Sequence, residues 1–101
     1  MRILYVTCQD KREAEEIAKK LLEEKLIACA NYFPITSLYT WKDELVTGNE
    51  YVLLLKTFKK HTETIKVLIE EMHSYECPCI VEIEMKANAP FASWMHEVIR
   101  E

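Results

Sequence analysis

The chain has 101 residues and a mass of 11.9 kDa, which suits one domain, residues 1–101, that can bury a core without disulfide or metal staples. Half of the residues are hydrophobic, 30% are charged and only one is glycine, so low-complexity and collagen-like architectures are excluded. A net charge of −4 argues against a nucleic-acid partner, and no apolar stretch is long enough to cross a membrane. Since the N-terminus does not resemble a signal peptide, we expect a cytoplasmic protein.

The N-terminal part of the sequence predicts a strand followed by a helix. Residues 2–7 are rich in β-branched and aromatic side chains, as is typical of a buried strand. Asp10, with Glu13 three residues later, forms a capping-box pattern, which indicates that a helix begins here. Apolar residues then recur at helical spacing up to about Lys25: Ala14, Ile17, Ala18, Leu21 and Leu22.

The next segment predicts a long β-hairpin. One strand, bent at Pro34, is expected over 27–40, because proline cannot donate to a sheet ladder and marks a bulge or an edge. The second strand is expected over 50–57, where a continuous apolar run is typical of a central strand. The turn between them is placed at 42–49, which contains Gly48, the single glycine of the chain.

The rest of the sequence predicts a helix over 59–73, a strand over 79–86 and a third helix that starts at Pro90. Pro78 separates the first two, because the residue before a proline is held extended. The complete order is strand, helix, strand, strand, helix, strand and a terminal helix. This is the α+β, ferredoxin-like split βαβ pattern, an antiparallel sheet with two helices on one face.

Two helices leave the second face of a four-stranded sheet uncovered. The apolar run at Leu53, Leu54 and Leu55 cannot be buried from one side alone. Because a large uncovered apolar face favours association, we expect the chain to form a homo-oligomer.

Four short motifs and one tryptophan follow each other along nearly the whole chain. They are A-C-x-N at 28–31, S-x-Y-x-W at 37–41, L-K-T at 55–57, H-x-Y-x-x-P at 73–78, and Trp94. In this order and at these spacings the sequence resembles CutA, the family of divalent-cation tolerance proteins.

The resemblance implies a ferredoxin-like subunit in a tight homotrimer, similar in architecture to the PII nitrogen-signalling proteins. It also implies a role in tolerance to copper and other divalent cations, since some members bind copper. The segment after Pro34 is one residue shorter than in the usual family pattern. Two copper ligands proposed in some members, a first-strand cysteine and a second histidine, fall at Val6 and Met72 here, so of that set only His73 carries over.

The candidate metal ligands are His73 and Cys29. An imidazolium at His73 would also interact favourably with the carbonyl end of the second helix, but its place in the family motif favours metal binding. Cys29 offers a thiolate, although core packing is the common role of a free cysteine. His61 and His96 lie on polar helix faces and are expected in solvent. We expect copper or another divalent cation and no organic cofactor.

Cys77 and Cys79 flank Pro78 in an extended segment. Their side chains are expected on one face with Cα atoms about 6.5–7 Å apart. That spacing is marginal for a disulfide and long for two ligands of one soft ion such as Cu(I). The family pattern lacks this pair, so packing at the start of the strand is the preferred interpretation.

A cleft is the other candidate site. It would be lined by eight aromatic and polar residues: Asn31, Ser37, Tyr39, Trp41, Glu50, Lys56, Tyr75 and Trp94. Aromatic walls with a few convergent polar groups are typical of small-ligand sites, and the same residue types are enriched in subunit interfaces. In a trimer both interpretations hold at once, because the cleft would lie between subunits.

Nothing in the sequence favours an enzyme. A Gly-rich phosphate loop, a nucleophile elbow and a paired acid–base motif are all missing, and a Cys29–His73 pair would depend on the fold. The main hypothesis is a homotrimeric protein that binds divalent metal, copper above all, and responds to metal ions. The alternative is a PII-like signalling or scaffold module that binds a small ligand or a protein partner at inter-subunit clefts.

Overall fold

The computed structural model describes residues 1–101 and has the element order predicted from the sequence. The elements are β1 (Arg2–Cys8), α1 (Lys11–Glu23), β2 (Cys29–Trp41), β3 (Glu44–Thr57), α2 (Thr62–Met72), β4 (Ile80–Glu84) and α3 (Ala89–Val98). The strands form one antiparallel sheet in the order β2-β3-β1-β4, which is the ferredoxin-like arrangement. No helix in this structure has the length and apolar character needed to span a membrane.

Helix α1 is fixed by local bonds at both ends. The side chain of Asp10 accepts a hydrogen bond from the backbone N–H of Glu13 at 2.8 Å, so the predicted cap is confirmed. At the other end Lys25 adopts a left-handed φ of 56°. The N–H of Lys25 then bonds to the carbonyl of Leu22 and that of Leu26 to Leu21, the two bonds of a Schellman motif.

The hairpin is longer than predicted and its turn is shorter. Trp41 pairs directly with Glu44, so the turn consists of Lys42 and Asp43 alone, at φ values of 50° and 67°. Two consecutive positive φ values match the twist of the flanking strands, although they usually select Asn and Gly. Gly48 does not lie in the turn as predicted, because it is a strand residue with no positive φ.

The main core lies between the sheet and the helices α1 and α2. Leu4 and Val6 of β1 and Leu53 and Leu55 of β3 alternate toward the helices and are fully buried. They pack in one cluster with the apolar stripes of the helices: Ala14, Ile17, Ala18, Leu21, Ile65 and Ile69. A smaller cluster around Met95 holds α3 against the chain at Ala28, next to the start of β2.

The opposite face of the sheet is largely uncovered, as the sequence indicated. Tyr5 and Leu54, on the second face of β1 and β3, are only half-buried, and Val81 and Ile83 of β4 are exposed. Beyond the last β1–β3 pair, residues 35–50 continue as a two-stranded ribbon, here called the hairpin arm. This arm contributes to a molecule that measures 45 × 25 × 21 Å.

Two of the histidines differ in their surroundings. His61 is buried, and its Nε2 lies 2.8 Å from the carbonyl oxygen of Arg100, so its predicted position in solvent is wrong. The reason is that the chain from Lys59 to His61 forms a 3₁₀ turn before α2 starts, which rotates His61 toward the C-terminal segment. His96 is exposed and stacks on Phe58.

Candidate functional site

An open groove of about 820 Å³ lies on the face of the sheet that α1 and α2 leave uncovered. Its walls are the β2 strand of the hairpin arm from Ile35 to Trp41, the end of β1, and the segment 74–79 that leads from α2 to β4. Tyr5 and Thr7 of β1 form its floor. Glu50 and Glu76 are the charged residues that line it, so the groove carries negative charge.

A hydrogen bond between Tyr75 and Glu50 crosses the groove. The Tyr75 hydroxyl donates to Glu50 Oε2 at 2.7 Å. Burial, together with this carboxylate, raises the pKa of Tyr75 well above its ordinary value. The phenol therefore stays protonated and keeps donating to Glu50.

A cluster of Cys8, Glu13 and His73 lies beside the groove floor. One ligand-type atom from each residue, the thiol sulfur, a carboxylate oxygen and a ring nitrogen, lies within 4.8 Å of the other two. Cys8 ends β1, Glu13 is in the first turn of α1, and His73 follows α2 directly. The cluster thus joins three elements at one end of the sheet.

The hydrogen bonds of His73 define its tautomer. The backbone N–H of Tyr75 can only donate, and it points at Nδ1 of His73 at 3.0 Å, so Nδ1 accepts. The carbonyl of Thr7 can only accept, and it lies 2.7 Å from Nε2, so Nε2 carries the proton. The ring therefore contacts β1 and does not interact with the carbonyl end of α2 as the capping alternative supposed.

The side chain of Glu13 ties together the segment that precedes α1 and the segment that follows α2. Its Oε1 accepts from the N–H of Gln9 and its Oε2 from the N–H of Ser74, each at 3.0 Å. Oε1 also lies 3.6 Å from Nε2 of His73. Burial, with the charge of Glu13 as a further cause, raises the pKa of the Cys8 thiol to about 12.

The donor set of this cluster fits a divalent transition metal in kind and in spacing. Thiolate, imidazole and carboxylate are the usual protein ligands of zinc and copper. An ion bound here would replace the thiol proton of Cys8 and would take Nε2 of His73, so the ring proton would move to Nδ1. The hydrogen bonds of the ring with the carbonyl of Thr7 and with the N–H of Tyr75 would then both break. Cys8, Glu13 and His73 would hold the ion.

Cys29 lies elsewhere. Cys29 pairs with Lys56, and Lys56 pairs with Ile3 near the start of β1. His73, in contrast, contacts Thr7 near the end of β1. The Cys29 sulfur lies 3.8 Å from Oδ1 of Asn31. The fold therefore does not bring Cys29 and His73 together, either as ligands of one ion or as a nucleophile–base pair.

Of the eight residues expected in a cleft, five line the groove: Ser37, Tyr39, Trp41, Glu50 and Tyr75. Asn31, Lys56 and Trp94 do not line it. The Lys56 ammonium lies 5.3 Å from the ring centre of Phe91 in α3, and Trp94 packs against the same ring. Lys56 and Trp94 therefore lie at the other end of the sheet, beside α3.

The functional potential of Cys8 and Glu13 was not predicted from the sequence. Glu13 was interpreted as part of a capping box, but its carboxylate accepts from the N–H of Gln9, which precedes the N-cap Asp10. Cys8 ends a strand without a recognisable motif. The signal that was present is that both flank the β1–α1 junction, while His73 ends the helix packed beside α1. Only the packing of α2 brings His73 to that junction.

Comparisons with known proteins agree with the fold and the motifs. The family model of the CutA1 divalent ion tolerance protein matches residues 2–98. The divalent-cation tolerance protein CutA of Archaeoglobus fulgidus is 36% identical over 97 residues, 95% of each chain, and that of Pyrococcus horikoshii is 36% identical over 98 residues, 96% of each.

Solved structures give the same result. The crystal structure of CutA1 from Pyrococcus horikoshii shares the complete fold, with 33% identity and a TM-score of 0.96 over all of both chains. So does the structure of CutA from Archaeoglobus fulgidus, with 35% identity and a TM-score of 0.94 over 99% of this chain and 100% of that one. The latter is described as a periplasmic protein. The matching family is one of cation tolerance proteins and not of enzymes. This chain belongs to the CutA1 divalent ion tolerance protein family.

Proposed function

We propose that this protein binds a divalent metal ion, with copper as the favoured ion, through Cys8, Glu13 and His73, and that this binding serves cation tolerance. The observation that carries the proposal is the convergence of three different ligand atoms within 4.8 Å in a chain of this family. Among first-row divalent ions, Cu²⁺ binds such mixed sites most tightly. Cys29 lies outside this cluster and stays a separate candidate ligand.

The geometry also supports a homotrimer similar to the PII proteins. The sheet has an uncovered apolar face, and its two edge strands, β2 and β4, each have a free side. Leu38 and Leu45 on the hairpin arm are 68% and 73% exposed. A second copy that packed on the arm and on this face would remove these apolar surfaces from water.

Native mass spectrometry with added Cu²⁺, and separately Zn²⁺, tests both parts of the proposal. A background variant with Cys77→Ser and Cys79→Ser removes the exposed thiols from the experiment. We expect a trimer that takes up one ion per chain, and a loss of uptake in His73→Ala without loss of the trimer. His96→Ala is the matched control, because His96 is exposed and remote from the cluster.

Two results would contradict the proposal. Full metal stoichiometry in His73→Ala would exclude the cluster as the metal site. A monomer at micromolar concentration would exclude the assembly, whatever the metal result.

A second candidate function is a signalling or scaffold module that binds a small ligand or a protein partner in the groove. The observation that favours it is the Tyr75–Glu50 hydrogen bond beside the rings of Tyr39 and Trp41, since a few polar groups against aromatic walls are typical of small-ligand sites. A ligand found by thermal-shift screening should lose affinity in Glu50→Gln and keep it in His73→Ala. The reverse pattern would support the metal function.

A cytoplasmic location stays a prediction.

A further inference from the structure

His73 connects the candidate metal cluster to the groove. Its Nε2 lies 2.7 Å from the carbonyl oxygen of Thr7 and 3.6 Å from Oε1 of Glu13. On the other side of the ring, Nδ1 accepts the backbone N–H of Tyr75 at 3.0 Å, and the centres of the two aromatic rings are 4.7 Å apart. Because Tyr75 lines the groove, one histidine touches both sites.

Tyr75 is held at both ends. Its backbone N–H is bonded to His73, and its hydroxyl donates to Oε2 of Glu50 at 2.7 Å. Glu50 is the last residue of the hairpin arm, and the N–H of Ser74 is bonded to Glu13 of the cluster. The segment 73–75 therefore links the cluster to the arm. All of these bonds lie within one chain, so they do not depend on which part of the sheet face is exposed.

Metal binding at the cluster is incompatible with this arrangement of His73. With an ion on Nε2, the neutral ring loses the Nε2 proton and carries one on Nδ1 instead. Nδ1–H would then face the N–H of Tyr75 at 3.0 Å, and two donors cannot share a hydrogen bond. His73 and the backbone of Tyr75 must move apart. The bond from the Tyr75 hydroxyl to Glu50 resists this movement, because it fixes the side chain.

We infer that the Tyr75–Glu50 bond regulates the proposed metal site, because it holds His73 in the metal-free arrangement and is released when an ion binds. The inference rests on the proposed function, since the ligands are the same. In the closed state Tyr75 bonds to His73 and to Glu50, and in the open state His73 binds the ion and both bonds are broken. Coupling of two equilibria is reciprocal. A contact that tightens the Tyr75–Glu50 bond therefore lowers metal affinity, and metal binding in turn frees Glu50.

Removal of the Tyr75 hydroxyl should therefore strengthen metal binding. Tyr75→Phe keeps the ring and the charge of the site but lacks the bond that stabilises the closed state. A hydrogen bond to a charged group contributes enough to shift an equilibrium about tenfold, so the variant should bind the ion about tenfold more tightly. A merely structural role of Tyr75 predicts the opposite, since a disturbed cluster binds more weakly. Glu50→Gln is a poorer test, because it also removes a negative charge.

Competition with a chromophoric chelator measures the Zn²⁺ affinity of the full-length protein in the background of Cys77→Ser and Cys79→Ser. Tyr32→Phe is the matched control and should leave the affinity unchanged, because Tyr32 is on β2 outside the groove. Nitrogen-15 NMR of the background protein gives a second readout that needs no further substitution. When Zn²⁺ is added, the ring proton of His73 should move from Nε2 to Nδ1. The amide of Tyr75 should then exchange with solvent faster, because it has lost its acceptor.

Two results would overturn the inference. One is a Zn²⁺ affinity of Tyr75→Phe that is equal to or weaker than that of Tyr32→Phe. The other is an unchanged exchange rate of the Tyr75 amide in the Zn²⁺-loaded protein. Either result would leave the proposed metal site intact, since the ion is still bound. Absence of Zn²⁺ binding in the background protein and in both variants would instead refute the proposed function, and this inference with it.

Discussion

The buried carboxylate of Glu13 offers the sharpest test of how the site is held together. It accepts two backbone N–H groups, from Gln9 and Ser74, and is only 8% exposed. In Glu13→Gln one of these bonds survives on the remaining oxygen, while the new NH₂ group faces the other N–H. A lost hydrogen bond to a charged group costs about 1.5–3 kcal/mol of the free energy of unfolding.

The matched control lies on the same helix. Glu16 is exposed, and its carboxylate forms an i,i+4 ion pair with Arg12, so Glu16→Gln should cost less than about 0.5 kcal/mol. Urea unfolding at equal protomer concentration, with a chelator present, measures both variants. At a denaturant slope of about 2 kcal/mol per molar, Glu13→Gln should unfold roughly 1 M earlier. Equal midpoints for the two variants would refute the assigned role of Glu13.

Three further predictions concern the turn, the thiol and the groove. Asp43→Gly should stabilise the protein by about 1 kcal/mol in urea unfolding, because φ is 67° there and a side chain is disfavoured in the left-handed region; a loss of stability would contradict this. Metal-free protein should lose stability as the pH rises from 9 toward 12, by up to about 1.4 kcal/mol per pH unit. The reason is that the pKa of Cys8 is raised in the folded protein, so the thiol of the unfolded chain loses its proton first. Cys8→Ala should lack this loss of stability, and identical pH profiles for the two proteins would contradict the prediction. A double-mutant cycle of Tyr75→Phe and Glu50→Gln should give a coupling of about 1–3 kcal/mol, and additive effects would show that the 2.7 Å bond contributes nothing.

The order of the elements could be predicted from the sequence because each element carries its own periodic signal. The stripe of α1 and its Asp10 cap are local features, and both are confirmed. The hairpin turn was misplaced because its two residues, Lys42 and Asp43, lack the glycine that such turns prefer. Gly48 supplied a misleading signal near the end of the expected turn region, although it lies in β3.

The candidate metal cluster could be predicted only in part. His73 was identified from its motif, but its partners were not, because residues 8, 13 and 73 meet only after α2 has packed beside α1. Of the expected cleft residues, those that share one face of a strand were predicted correctly to line the groove. Ser37, Tyr39 and Trp41 alternate along β2 and reach the groove together, whereas Lys56 and Trp94 are held at the other end by contact with Phe91.

The great length of the hairpin has a consequence for the order in which the chain folds. Thirteen residue pairs join β2 to β3, starting at Trp41 and Glu44, so this ribbon can zip from its turn in about 1–10 μs. Pairs such as Arg2 with Glu84 close a loop of nearly the whole chain and form slowly. An isolated hairpin is only marginally stable, so we expect the ribbon to form and dissolve repeatedly until β1 arrives. Pairing of β1 with β3 is then the event that commits the chain to its native topology.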